Sequence, residues 1–301
     1  MPGQDASHVA LAVGLAASAA LAFAVATVTE QRAAAQSSDR DARGRKFLGQ
    51  LVRNPRWLAA MGGNIVGYGL QAAALGVGSV VVVQPILVTS LVFALPLSAH
   101  LSHRRMAWTS ISWGILLAAA LAVFVVLGDP RHGVDHASTG DWLVVTLVVT
   151  PLVVACLVIS HPLSGAARAS LLAVAVGLLG GVLAVLTKAV VASAGQGLVH
   201  LLVTSETYGL AVVGLAGAYV QQLAFQAGDL HASLPILTVL EPVVAVLLGL
   251  TVLREDLTAR GGQLVVLLLS VGVMTVATLA LARAQAVSVG RPTDVSAGRA
   301  G

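Results

Sequence analysis

Long apolar segments separated by short polar ones run along most of this chain. Nine of them have roughly the 20 residues that a helix needs to span a bilayer. They cover residues 8–28, 57–76, 79–101, 108–128, 142–160, 169–190, 207–227, 231–252 and 261–282. The pattern predicts an all-α, polytopic integral membrane protein with about nine transmembrane helices.

Two polar segments interrupt this pattern. Residues 29–56 form a basic loop, and residues 283–301 are rich in Ser, Gly, Ala and Arg. Most of the loop and all of the tail lack apolar surface to bury, so we predict a flexible loop and a disordered tail. The rest of residues 1–282 is predicted to be one membrane domain, with a first half at about 8–128 and a second at about 142–282.

The composition agrees with a membrane environment. Hydrophobic residues make up 57% of the chain and charged residues 10%, whereas soluble domains contain about 25% charged residues. The single cysteine, Cys156, lies in an apolar segment, which excludes an internal disulfide and a cysteine-rich metal centre. A net charge of +4 does not by itself indicate nucleic acid, so we expect membrane lipids as partners and no nucleic acid.

The distribution of basic residues predicts the orientation. If the loop at 29–56 is cytoplasmic, that side carries thirteen Lys and Arg residues and the opposite side three. Cytoplasmic loops are enriched in these residues, so we predict a multi-pass plasma-membrane protein with its N-terminus outside and its C-terminus in the cytoplasm. A cleaved signal peptide at 8–28 is an alternative that keeps this orientation. Lys188, near the outer end of its helix, is expected to snorkel to the interface; a role in substrate binding is the alternative.

A short motif occurs twice. Its copies share Tyr, Gln and Ala at a separation of 151 residues, and Gly, Pro, Ile and Leu at 150, starting from Tyr68 and Tyr219. Five predicted helices separate equivalent points, and an odd number of crossings reverses direction. We therefore predict two inverted repeats of four plus five helices. Secondary transporters are built in this way, with the substrate site at the repeat interface near mid-bilayer.

Polar side chains follow one face of each helix that carries the motif. Buried polar groups in membrane helices need partners and often bind substrates. Because the tyrosines and one glutamine of each stripe are repeat equivalents, we expect the stripes to face each other across the pseudo-two-fold axis. The alternative is that they only join helices. The predicted substrate-binding residues are Asn64, Tyr68, Gln71, Gln84, Tyr219, Gln222 and Gln226.

Glu241 lies at the midpoint of the eighth predicted helix, directly before Pro242. A carboxylate there costs about 2.5–3.5 kcal/mol on insertion scales, so it must face protein or water. We predict that Glu241 binds substrate and couples transport to protons; a structural, hydrogen-bonded carboxyl is the alternative. Pro85, Pro235 and Pro242 remove backbone donors and are predicted hinges, with ordinary kinks as the alternative.

Motifs for chemistry are missing from the sequence. It has no G-x-x-x-x-G-K-[ST] phosphate loop, no H-E-x-x-H metal helix and no G-x-S-x-G nucleophile elbow. We therefore predict no catalytic residues, no metal site and no cofactor, and we do not expect an enzyme.

Two parts of the chain resemble a known superfamily. Tyr219 to Gly228, then Leu-Pro235-Ile-Leu-Thr-Val-Leu-Glu241-Pro242 and Arg254-Glu-Asp-Leu-Thr258, resemble the end of an EamA-type half of the drug/metabolite transporter superfamily. Asn54-Pro-Arg-Trp-Leu58, Gln71 to Leu75 and Gln84-Pro-Ile-Leu-Val88 resemble its nine-helix branch related to NIPA-type magnesium transporters. The usual first half has five helices, whereas this chain has four plus the basic loop.

The resemblance implies a secondary transporter that moves a small metabolite or drug by alternating access. Two alternatives stay open: a NIPA-like magnesium or divalent-cation permease, and a non-transporting membrane scaffold or accessory subunit. A small molecule or ion is the expected substrate, and a homodimer is not excluded.

Overall fold

The computed structural model describes residues 2–37, 55–101, 108–128, 130–131, 133–227, 230–257 and 260–290. Within these ranges the chain is almost entirely helical, in agreement with the predicted fold class. The helices are α1 Pro2–Ser37, α2 Pro55–Val77, α3 Val80–Leu87, α4 Ser90–Leu101, α5 Trp108–Gly128, α6 Thr139–Ser160, α7 Gly165–Gly195, α8 Leu198–Val203, α9 Ser205–Gln226, α10 Leu230–Thr251 and α11 Gly262–Gly290.

A pair of two-residue strands lies at one end of the helix bundle. Strand β1 (Pro130–Arg131) pairs antiparallel with β2 (Asp256–Leu257), so that Pro130 is opposite Leu257. The strands join the loop after α5 to the loop between α10 and α11. We call this end of the bundle the β end.

Six spans of the described residues are long and apolar enough to cross a membrane: Ser7–Thr29, Val80–His100, Trp108–Gly128, Thr139–Ser160, Gly165–Gly195 and Gly262–Ala284. The protein is therefore a helical membrane protein. The other three predicted crossings coincide with α2, α9 and α10, which are not among the six. The apolar part of α10, Pro235–Thr251, is shorter than each of the six spans.

Two predicted polar segments are partly helical. Helix α1 continues to Ser37 and α11 to Gly290, which corrects the prediction of a loop from residue 29 and a tail from 283. Alanine-rich sequence favours helix, and extending an existing helix avoids the unfavourable nucleation step. Residues 38–54 of the predicted loop and residues 291–301 of the predicted tail lie outside the described residues.

The third predicted helix is discontinuous. Gly78 and Ser79 precede α3, and the Ser79 side chain accepts a hydrogen bond from the Val82 amide as an N-cap. A turn at Val88 and Thr89 separates α3 from α4, with the Thr89 hydroxyl donating to the Ile86 carbonyl at 2.6 Å. Pro85 in α3 cannot donate its own backbone hydrogen bond. Helix α3 is therefore a half-helix, separated from α2 by Gly78 and Ser79 and from α4 by the turn at Val88 and Thr89.

Helix α3 lies at the centre of the molecule. Residues 80–86 are all buried, and α3 packs against α1, α2, α5, α7 and α10. Its valines belong to the largest cluster of buried apolar side chains. Because α3 is buried and packed on several sides, its ends hold a fixed position in the molecule.

Three glycines bring α7 and α10 close together. A Cβ atom at Gly177 would lie 2.8 Å from Leu240 Cβ, and one at Gly181 would lie 2.5 Å from Val244 Cγ1. Between them, Gly180 faces the side chain of Glu241. Small residues at this spacing let helix backbones approach closely in membranes.

Candidate functional site

A buried ion pair lies at the β end. The Nζ atom of Lys188 in α7 donates to Oε1 of Glu255 at 2.6 Å, and their side chains are 2% and 0% exposed. The sequence-based expectation that Lys188 snorkels to the interface is therefore wrong. A partner within 3 Å satisfies the ammonium group in the interior, so the side chain has no need to reach water.

The same carboxylate binds the start of α3. The amide of Val80 donates to Glu255 Oε1 at 2.8 Å, and the amide of Val81 donates to Oε2 at 2.9 Å. These amides have no acceptor within their own helix, and the positive end of the helix dipole favours a carboxylate there. Glu255 thus receives three donors from two helices, and more than 100 positions separate Val81 from Lys188.

Backbone contacts fix the position of Glu255. Its amide donates to the Gly249 carbonyl at 3.0 Å, and the Val134 amide donates to the Leu253 carbonyl at 2.7 Å. A Cβ atom at Gly249 would lie 3.0 Å from Glu255 Oε2, so glycine leaves room for the carboxylate. Arg254 has a φ of 53°, a conformation uncommon outside glycine. The loop is shaped to aim Glu255 inward.

A cavity of about 170 Å³ lies between α3 and α5 on one side and α10 and α11 on the other. Two predicted hinge prolines, Pro85 and Pro242, contribute to its wall, whereas Pro235 is buried without lining it. The remaining walls are Val, Leu, Phe and Met side chains with Thr238, Thr275 and Thr278. None of the predicted substrate-binding residues whose side chains the structure describes lines this cavity.

The two predicted polar stripes do not meet. Tyr68 is 60% exposed and packs edge-to-face on Phe23 of α1, with ring centroids 5.0 Å apart. Tyr219 is 67% exposed and lines a different cavity, of about 590 Å³, between α6, α7 and α9. The expectation that these tyrosines face each other across an axis is wrong, because each packs within its own group of helices.

The other predicted substrate-binding residues also differ in environment. Gln71 is buried, Asn64 is partly buried and Gln222 is exposed. The side chain of Gln226 lies outside the described residues. Gln84 is 2% exposed, and its Nε2 atom has no hydrogen-bond partner among the residues that the structure describes. A buried donor without a partner is unfavourable, which marks Gln84 out from the rest of the set.

Glu241 lies halfway along α10, as predicted, and its side chain faces Gly180 of α7. It is partly buried, and no hydrogen bond or ion pair joins it to another residue in the described part of the chain. The Glu241 side chain therefore packs against α7 and remains partly exposed.

The 590 Å³ cavity has mainly aliphatic walls and one acid at its edge. Glu206 is buried there, with Oε1 at 3.8 Å from His136 Nδ1 and Oε2 accepting from the Ser205 hydroxyl at 3.2 Å. Among the residues that the structure describes, no group of three or more His, Cys, Asp or Glu side chains is placed to hold a metal ion.

Sequence reasoning missed Glu255 as a site residue. It followed a membrane helix in an Arg-Glu-Asp run, where a solvated loop is the ordinary interpretation. The available signal was a lysine in an otherwise apolar helix: an interior ammonium needs a counter-ion. The counter-ion of Lys188 could have been sought among the acidic residues at the ends of other helices, where Glu255 lies.

Comparison with known proteins identifies one relative across nearly the whole chain. The uncharacterized protein Cgl0250/cg0304 of Corynebacterium glutamicum is 37% identical over 282 residues, which cover 93% of this chain and 97% of the relative. No family model and no solved structure matches the chain. The chain therefore belongs to the family of this Corynebacterium glutamicum protein.

Proposed function

We propose that this chain is a secondary transporter that moves a small metabolite or drug across the plasma membrane by alternating access. The observation that carries the proposal is the matching order of helix contacts in the two halves. Helix α1 packs against α2 and against α3 and α4; helix α7 packs in the same way against α9 and α10. Helices α5 and α11 complete the halves and pack against each other.

This arrangement supports two inverted repeats. In the proposed topology, α1, α2, the α3–α4 pair and α5 form the first repeat, and α7, α9, α10 and α11 form the second. Helix α6 packs on α7 and accounts for the extra helix of the second half. The six apolar spans together with α2, α9 and α10 give the proposed nine crossings. Contact between α3 and α10 then lies at the repeat interface, where transporters of this construction bind substrate.

The halves touch unequally. Helix α2 packs against α7, where a Cβ atom at Gly76 would lie 2.7 Å from Val191 Cγ1. In the described part of the chain, no comparable packing joins α9 to α1, the corresponding pair. We infer a conformation closed at the β end, which the proposed orientation places outside. Such asymmetry is expected of one state in an alternating-access cycle.

In this proposal Glu241 is the coupling carboxyl, and Pro85 and Pro242 are hinge residues beside the repeat interface. The polar residues of α2 and α9 serve as secondary contacts, since they do not line the cavity between the halves. Among the described residues no specific contact favours the divalent-cation permease or the scaffold, and both remain outcomes of the test.

The test is ligand-dependent thermal stabilisation of the purified protein, followed by flux in proteoliposomes. Metabolites, cationic drugs and Mg²⁺ are compared at acidic and at mildly alkaline pH. A ligand that binds only the folded state raises its stability by RT ln(1 + [L]/Kd). We expect a metabolite or drug to stabilise the protein and to be transported. Stabilisation and flux with Mg²⁺ alone would favour the permease, and neither effect with any compound would favour the scaffold.

A further inference from the structure

Glu255 joins the two proposed halves. Its carboxylate accepts from the amides of Val80 and Val81 in the first half and from Lys188 in the second. Its own loop between α10 and α11 belongs to the second half. Any separation of the halves at the β end therefore has to break contacts at this carboxylate.

We propose that Lys188 and the amides of Val80 and Val81 form a binding site for a small carboxylate, which Glu255 occupies in this closed conformation. The proposal rests on the proposed transport function. When the loop between α10 and α11 moves away, Glu255 leaves the site and the carboxylate of a substrate takes its place. No covalent step is involved; one anion replaces another on the same donors.

Charge balance is the physical reason for an exchange. Withdrawal of Glu255 without a replacement leaves an ammonium group and two amides in a buried site without acceptors. A buried charge that loses its partner is strongly destabilised. An incoming carboxylate restores the same charge and the same acceptors, so the β end opens readily only when such a ligand is present.

Gln84 supplies a second sign of a ligand. Gln84 follows Val80 by about one turn of α3, and side chains of a helix lean toward its N-terminus. The Nε2 group of Gln84 is buried and has no hydrogen-bond partner in the described part of the chain. Donors left unpaired in a native interior require an explanation, of which a missing ligand is one. In this proposal a substrate larger than the Glu255 carboxylate extends along α3 to this donor.

The first experiment uses acetate as the probe. Glu255→Ala removes a CH₂–COO⁻ group, and acetate has the matching size and charge. The variant is heated in detergent with sodium acetate or with sodium chloride at equal ionic strength. We expect acetate to raise its melting temperature by several degrees more than chloride does. The control is the double variant Lys188→Met/Glu255→Ala, which lacks the cation and is expected to respond equally to both salts.

The second experiment tests exchange in the unmodified site. Val83→Cys is made in a Cys156→Ala background, because Val83 is fully buried in α3. A membrane-impermeant thiol reagent then reports opening at the β end in intact cells or vesicles. We expect acetate to speed labelling severalfold where Glu255 and Lys188 are both present, and to have no effect after Lys188→Met.

The outcomes separate the two proposals. Equal effects of acetate and chloride on Glu255→Ala overturn the binding site, and labelling that never responds to acetate overturns the exchange. If Glu255→Ala does not fold, the labelling experiment decides alone. Acetate binding without flux of any compound leaves the anion site standing and removes the transport function. Flux of a compound without any acetate effect supports the transport function and overturns the anion site.

Discussion

The Nζ atom of Lys188 lies 2.6 Å from Oε1 of Glu255, although 67 positions separate the two residues in sequence and both side chains are buried. This contact ties α7 to the loop before α11, and through the amides of Val80 and Val81 to α3. Glu255 is thus the point at which α3, α7 and the loop before α11 are joined by polar contacts.

The first prediction concerns stability at this pair. Lys188→Met and Glu255→Gln each leave one buried charge without its counter-ion, which costs about 3–5 kcal/mol. The double variant Lys188→Met/Glu255→Gln removes both charges and keeps an acceptor for the α3 amides. We therefore expect both single variants to melt well below the wild type and the double variant to recover part of the loss. Additive losses in thermal unfolding would contradict the pairing.

The second prediction concerns the approach of α7 to α10. A Cβ atom at Gly181 would lie 2.5 Å from Val244 Cγ1 and 2.9 Å from the backbone nitrogen of Ala245. Backbone cannot move aside easily, so we expect Gly181→Ala to destabilise the protein by about 1–3 kcal/mol. Gly272→Ala is the matched control, because a Cβ atom there meets nothing within 4 Å. We expect the control to be neutral or slightly stabilising through helix propensity.

The third prediction concerns coupling. Glu241→Gln replaces a carboxyl that can exchange a proton with an amide of nearly the same shape. We expect transport by this variant to lose its dependence on pH while thermal stability stays close to that of the wild type. Flux across a range of pH in proteoliposomes checks this. Glu206→Gln, which changes an acid at the other cavity, is expected to keep the wild-type profile. An unaltered pH profile in Glu241→Gln would assign Glu241 a purely structural role.

The fourth prediction separates binding from stability at Gln84. Gln84→Leu removes a buried donor that no described residue pairs with, and such a group costs about 1–3 kcal/mol when left unsatisfied. We expect the variant to be at least as stable as the wild type without ligand. Stabilisation by transported ligand should nevertheless fall, because the ligand loses a donor. A variant that is less stable but binds ligand normally would show that Gln84 only supports the packing of α3.

The fifth prediction concerns the aromatic contact between α1 and α2. Phe23 and Tyr68 meet edge-to-face with centroids 5.0 Å apart, and Gly67 allows the ring to approach α2. Tyr68→Phe keeps the ring and removes the hydroxyl, so we expect normal expression. If Tyr68 also contacts substrate, the ligand concentration needed for half-maximal stabilisation should rise. Equal loss of expression and affinity would instead indicate that Tyr68 joins helices.

The sequence by itself determined that the chain is a helical membrane protein and placed most of its long helices to within a few residues, apart from α1 and the end of α11. Hydropathy is local, and a helix in lipid satisfies its backbone within its own segment. The same reasoning located Glu241 at the middle of α10. It overestimated the loops at 30–37 and 284–290, where helices simply continue.

Tertiary structure alone decided which faces meet. Most of these helices are apolar on every side, so no hydrophobic stripe marks the inward face as it does in soluble proteins. The sequence therefore could not show that Tyr68 and Tyr219 lie in separate environments. Nor could it show that Lys188 pairs with Glu255, since that contact depends on how α3, α7 and the loop before α11 converge at the β end.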